Sequence, residues 1–182
     1  LELLRLPNVF TAIADVMMGF WFALAVASGD DADGNTEWES LILLVLSSSC
    51  FYLAGMVLND YFDRNKDLQE RPARPIPSRR VPESTALWPG TQLLVLGIVL
   101  AATLSFIGHN LNTFLIAIAL SVAVVAYDGV FKKNWLGPLG MGACRALNVL
   151  MGMSVVEGTI SIFSASHLLI IGGIGIYIIG LT

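Results

Sequence analysis

Charge is what this chain lacks most. Of its 182 residues only 13% are Asp, Glu, Lys or Arg, against 55% hydrophobic, and the mean hydropathy is +0.74. Soluble domains carry about 25% charged residues, so 10 basic and 14 acidic side chains cannot cover a globule of this size. The same balance excludes a disordered segment, and a net charge of −4 excludes a nucleic-acid binder. Cysteine is scarce too. Cys50 and Cys144 both lie inside apolar runs, which rules out a disulfide framework. The only histidines, His109 and His167, have no ligand partners beside them. No low-complexity tract or linker divides the sequence, so residues 1–182 read as one domain.

What the chain has in quantity is long apolar runs, at 7–27, 40–58, 87–107, 111–127, 137–156 and 167–182. A helix needs about 20 apolar residues to cross the hydrocarbon core. These runs are too long for strands and lack the alternation of a membrane barrel. The fold class is therefore all-α: a polytopic bundle with six spans, in which helices satisfy their own backbone polar groups. Basic residues then orient it. Arg5 precedes the first span, six bases lie in 59–86, and Lys132 and Lys133 follow the fourth span, whereas 28–39, 108–110 and 157–166 contain no Lys or Arg. The positive-inside rule puts the N-terminus and the loops 59–86 and 128–136 in the cytoplasm, with a bacterial or archaeal plasma membrane as the expected setting. The outer connections sum to −6 and the two cytoplasmic loops to +2. A mildly acidic protein is thus cationic on the side where an anionic substrate would dock.

The most informative stretch is Asn59-Asp60-Tyr61-Phe62-Asp63-Arg64-Asn65-Lys66-Asp67, followed by Arg71-Pro72-Ala73-Arg74-Pro75-Ile76-Pro77-Ser78. If the second helix runs past Leu58, Asn59, Asp63 and Asp67 share one face, and Asp60 lies seven residues from Asp67. Carboxylates and an amide oxygen at one membrane face are the hard donors that Mg2+ accepts. Arg71 and Arg74 follow closely, and guanidinium groups fork onto phosphate oxygens. Together they describe a clamp for a diphosphate. The alternative is a merely solvated loop, but that does not account for carboxylates spaced at helical intervals or for arginines alternating with proline.

This run resembles the first aspartate-rich motif of the UbiA-type intramembrane prenyltransferases. Tyr127-Asp128-Gly129-Val130-Phe131-Lys132-Lys133 looks like the family's YDxxxK element, and Gly137-Pro138-Leu139-Gly140 and Arg145-Ala146-Leu147-Asn148 add to the likeness. The resemblance implies a bundle of about nine helices around a central cavity, of which this chain would be the N-terminal two thirds. It implies Mg2+-dependent transfer of a prenyl group from an isoprenyl diphosphate to a small-molecule acceptor, often aromatic, such as 4-hydroxybenzoate or another quinone precursor. Asn59, Asp60, Asp63 and Asp67 would form the metal and diphosphate site, Arg71, Arg74 and Lys132 would bind diphosphate, and Tyr127 would lie near the reacting carbon. The family's second aspartate-rich motif has no counterpart in the sequence, and Arg79 stands where many members have glycine.

Two ionisable groups lie deep in the spans. Asp15 is eight residues past Pro7 and Arg145 eight past Gly137, so each sits roughly 12 Å from the cytoplasmic end. Charges in hydrocarbon face a cavity or a partner. The pair is expected to face the polar part of the cavity, with Asn8 and Asn148 nearby, either bridged by a substrate or joined directly as a structural ion pair. Three other readings compete with prenyl transfer. An alcohol phosphotransferase needs a DGxxAR element, which Asp128-Gly129-Val130 does not continue. A family-related terpene cyclase would capture the cation internally. A transporter would favour broken helices and charges near the midplane, and an inactive scaffold would simply keep the fold.

Overall fold

The computed structural model describes residues 9–27, 34–108, 110–156 and 172–173, and the elements it forms there are all helical. They are α1 (Val9–Ala27), α2 (Gly34–Phe62), α3 (Arg64–Glu70), α4 (Glu83–Ile107), α5 (Asn112–Gly129) and α6 (Gly137–Met153), with a 3-10 turn at Phe131–Lys133 between α5 and α6. Four stretches are long and apolar enough to cross a bilayer: Val9–Val26, Trp38–Phe62, Leu87–Ile107 and Asn112–Lys133. They match the first four expected spans. The fifth forms α6, whose 17 residues reach about 25 Å. The expected sixth span, 167–182, lies outside the described residues apart from Gly172 and Gly173; so do Asn8, Arg5, His109 and the start of the acidic connection at 28–33.

The outward faces carry Val95, Val99, Phe106, Leu115 and Val122, all more than half exposed. A soluble surface would hide such a belt; lipid is the solvent that suits it. Trp88 and Trp135 stand exposed at one end of the bundle and Trp38 at the other, as interfacial anchors do. Inside, α2 is the central helix, packed on α1, α4 and α5. Its Leu44 and Phe51 meet Val16 and Phe20 from α1, Ala101 and Leu104 from α4, Leu120 from α5 and Met151 from α6.

Lipid tails are as apolar as leucine, so helices here associate by close packing and hydrogen bonds rather than by escape from water. The crossing of α1 and α6 shows the first. A Cβ on Gly19 would lie 2.1 Å from the Val149 carbonyl oxygen, and one on Gly152 would lie 2.2 Å from that of Val16. Only glycine at both positions lets the two backbones touch. The serines at 47–49 show the second: Ser47 Oγ donates to Gly97 O at 2.8 Å, Ser48 Oγ to Ala12 O at 3.2 Å, and Ser49 Oγ to Val45 O in its own helix.

α4 begins at Glu83, before the apolar run 87–107, because Pro82 precedes its first turn with extended backbone, and Pro89 lies inside the helix near the start of that run. Arg79, to which no meaning was attached, has φ 58°. Glycine adopts that left-handed region freely, and any other residue pays about 1–2 kcal/mol. The turn closes with the Arg79 N–H donating to Ile76 O at 3.0 Å, and Ile76 is buried against the bundle.

Candidate active site

At the end of the bundle where α2 gives way to α3, the predicted acidic residues come together in two pairs. The i to i−4 backbone ladder continues through the break, with Asp63 N–H donating to Asn59 O at 2.9 Å and Asp67 N–H to Asp63 O at 2.8 Å. Asp63 stands between α2 and α3 with helical backbone, φ −86° and ψ −3°, and the residues Asn59, Asp63 and Asp67 are divided between two cations. Asn59 Oδ1 and Asp63 Oδ2 both accept from Lys132 Nζ. Asp60 Oδ1 and Asp67 Oδ2 both accept from Arg74 Nη1, at 3.1 and 2.6 Å. Asp60 and Asp67 are buried. Among the described residues no three His, Cys, Asp or Glu side chains converge as one metal-holding group.

Each pair instead converges on a single cationic nitrogen. Three carboxylates against Lys132 and Arg74 leave the cluster formally at −1. Arg74 reaches its partners because the Pro-rich loop turns back, with Ser78 N–H donating to Arg74 O at 2.9 Å. Arg71 is exposed and not drawn into the cluster. Arg64, unremarked in the sequence, lies over the Tyr61 ring at 4.4 Å and pairs with Glu83 at 3.1 Å, tying α3 to the start of α4.

Behind this mouth a cavity of about 300 Å3 runs inward between α1, α2, α5 and α6. Asn59 belongs to both the mouth and the cavity wall. Tyr127 lines the cavity rather than anchoring to an interface, and its ring lies against Gly140, where a Cβ would come within 3.0 Å. Farther in are Asp15, Arg145 and Asn148. Arg145 Nε donates to Asp15 Oδ2 at 2.9 Å and Nη2 to Oδ1 at 2.7 Å. The expected pair is thus direct and bidentate. Asn148 Nδ2 donates to Ala12 O at 2.8 Å, so it stays with the group.

Sequence reasoning passed over one wall residue. The motif Tyr127-Asp128-Gly129 assigns no role to Asp128, yet Asp128 is 2% exposed and lines the cavity. Its signal was an acid at the end of an apolar run, one step from a residue already singled out.

A family model described as "UbiA prenyltransferase family" matches residues 16–182. The chain is 32% identical over 164 residues to digeranylgeranylglyceryl phosphate synthase of Sulfurisphaera tokodaii, covering 87% of this chain and 53% of that protein. It is 29% identical over 168 residues to the chloroplastic chlorophyll synthase of Oryza sativa subsp. japonica, covering 85% and 45%. A solved structure of a digeranylgeranylglyceryl phosphate synthase superposes with a TM-score of 0.78 at 24% identity, over 99% of this chain and 58% of that one. The chain spans about half the length of these relatives.

Proposed function

The chain belongs to the UbiA prenyltransferase family, and from that premise we propose that this integral membrane protein transfers a prenyl group from an isoprenyl diphosphate to a small acceptor. The observation that carries the reading is the mouth: two pairs of oxygens, each gathered on one cationic nitrogen, at the opening of a largely apolar cavity. An aromatic acceptor and a place in quinone biosynthesis gain no support from the relatives above, which are named for a glyceryl phosphate or for chlorophyll. A glyceryl-phosphate-type acceptor is the better reading.

The donor set suits Mg2+, since it consists of hard oxygens and each pair already accommodates a positive charge. Asn59 with Asp63, and Asp60 with Asp67, would hold the metal, which when bound supplies countercharge to the diphosphate. Lys132 and Arg74, released from the carboxylates, would turn to the diphosphate oxygens and stabilise the charge that grows there as the allylic C–O bond breaks. Arg71 is positioned to join them from the loop. The cavity excludes water from the allylic cation, and the ring face of Tyr127 attracts it. The prenyl tail gains about 25 cal/mol for each Å2 of apolar surface withdrawn from water. The eight basic residues of the loops 59–86 and 128–136, at this end of the spans, support a cytoplasmic mouth.

The test is release of diphosphate from a labelled isoprenyl diphosphate by the complete protein in nanodiscs, with and without Mg2+, together with transfer of the label to an acceptor panel. Mg2+-dependent transfer is the expected result. Release with label recovered only in cyclised hydrocarbon would convert the reading to a cyclase, and the absence of both release and transfer would overturn it.

A further inference from the structure

The cavity wall is graded from the mouth inward along α2 and α5. On α2, Asn59, Gly55 and Phe51 follow one another at four-residue intervals, a stripe that steps inward by about 6 Å each time. On α5, Tyr127, Val124 and Leu120 descend beside them. The α2 stripe starts with a polar side chain at the mouth, passes a position with no side chain, and ends on a large ring. Exposure falls in the same order: Asn59 and Gly55 are partly exposed, whereas Phe51 and Leu120 are 2% and 3% exposed. The Ser48 hydroxyl beyond them is already spent on Ala12 O. The cavity therefore closes at Phe51 and Leu120, about 12 Å inward of Asn59.

The place of the Phe51 ring is set from behind. Among the described residues α4 contributes nothing to the cavity wall. Yet a Cβ on its Gly97 would lie 3.0 Å from both Cε1 and Cζ of Phe51, so the ring packs directly on the α4 backbone. One turn away Ser47 Oγ donates to Gly97 O at 2.8 Å, which holds α4 against α2 at this level. Phe51 thus stands between the cavity and a helix that gives it no room to retreat. The deep polar groups of the cavity, Asp15, Arg145 and Asn148, belong to α1 and α6, which leaves the α2 and α5 side as the apolar one.

A prenyl chain whose diphosphate is held at the mouth and whose reacting carbon lies near Tyr127 runs inward along that apolar side. We propose that the Phe51 ring is the end-stop that sets the longest prenyl tail the cavity accepts, and that Gly97 behind it sets where the stop stands. The proposal rests on the prenyl-transfer reading above. A tail that is too long overpacks against a ring without slack, and one that is too short leaves contacts unmade.

The test measures binding of geranyl, farnesyl and geranylgeranyl thiolodiphosphates, whose sulfur bridge resists cleavage, to the complete protein in nanodiscs with Mg2+. Phe51→Leu opens the stop and should tilt binding toward the longer tails by about tenfold, the scale on which an apolar pocket discriminates methylenes. Gly97→Ala pushes the ring toward the cavity and should tilt binding the other way, by about threefold. Gly90→Ala is the matched control. A Cβ there would lie 3.0 Å from Leu58, across the same two helices, but Leu58 does not line the cavity, so Tm should fall while the ratios stay. Opposite shifts from the two sides of one ring cannot come from a general loss of stability, and either variant decides by its own ratio if the other fails to fold. Ratios unmoved by Phe51→Leu and Gly97→Ala, or moved as much by Gly90→Ala, overturn the proposal and mean that the tail leaves between the helices into lipid. A wild-type protein that binds none of the three overturns the prenyl-transfer reading itself. Binding of all three with unmoved ratios leaves that reading standing and removes only this one.

Discussion

The two charged regions of this protein use the same chemistry to opposite ends. Inside the bundle, Arg145 and Asp15 meet one to one through two parallel hydrogen bonds, and each closes the other's valence. At the mouth, one nitrogen of Lys132 and one of Arg74 each serve two oxygen partners drawn from neighbouring positions. A bidentate pair in a low-dielectric interior has no better partner to exchange for. A nitrogen shared between two oxygens does, and a more highly charged cation competes for the same oxygens. The inner pair is built to stay, the outer pairs to exchange.

The largest effect expected is at the mouth, on activity rather than stability. Lys132→Met should reduce Mg2+-dependent diphosphate release by about 10²–10³-fold, the usual consequence of removing one group that faces developing charge. Its stability cost should stay near 1 kcal/mol because the pair is partly exposed. A collapse of Tm with little loss of release would erase the contrast. In the interior the expectation reverses. Arg145→Met leaves the Asp15 carboxylate buried and unpartnered and should cost about 3 kcal/mol in thermal unfolding, most of it recovered by adding Asp15→Asn. Equal losses in the single and double variants would show that the pair matters for reasons other than charge.

A smaller effect tests whether the close approach of α1 and α6 holds the inner pair in register. Gly152→Ala must push the backbones apart and should cost about 2 kcal/mol, seen as a lower unfolding midpoint; an unchanged midpoint would mean that the crossing is slack. The smallest effect has the opposite sign. Arg79→Gly relieves the left-handed strain in the loop that presents Arg74 and should stabilise by about 1 kcal/mol, measured as slower proteolysis of that loop. Faster cleavage would mean that the arginine side chain holds the loop.

Much of this was legible beforehand, and the misses have physical causes. The first four spans followed from apolar run length, and the depth of Asp15 and Arg145 followed from counting residues along two helices entered from the same side. Asn59 with Asp63 was readable as one helical turn, and Asp60 with Asp67 as two. What periodicity did not contain was that Lys132 would gather one pair and Arg74 the other. Asp128 was missed because a burial depth of that kind is set by neighbours from α2 and α6, not by the residues beside it. The left-handed backbone at Arg79 is not legible from its side chain, because a turn imposes that conformation.

Hydropathy and charge are properties of each residue, and they add along the chain. They determined a membrane bundle, a basic face and an acidic motif with arginines after it. Which nitrogen meets which oxygen is not additive. Arg145 and Asp15 stand 130 positions apart and Lys132 and Asp63 stand 69 apart, and such partners are chosen only when helices pack at a particular distance and rotation. That packing turns on contacts as local as two glycines touching backbone. The tertiary structure alone therefore decided that the inner charges cancel and that the outer ones are shared.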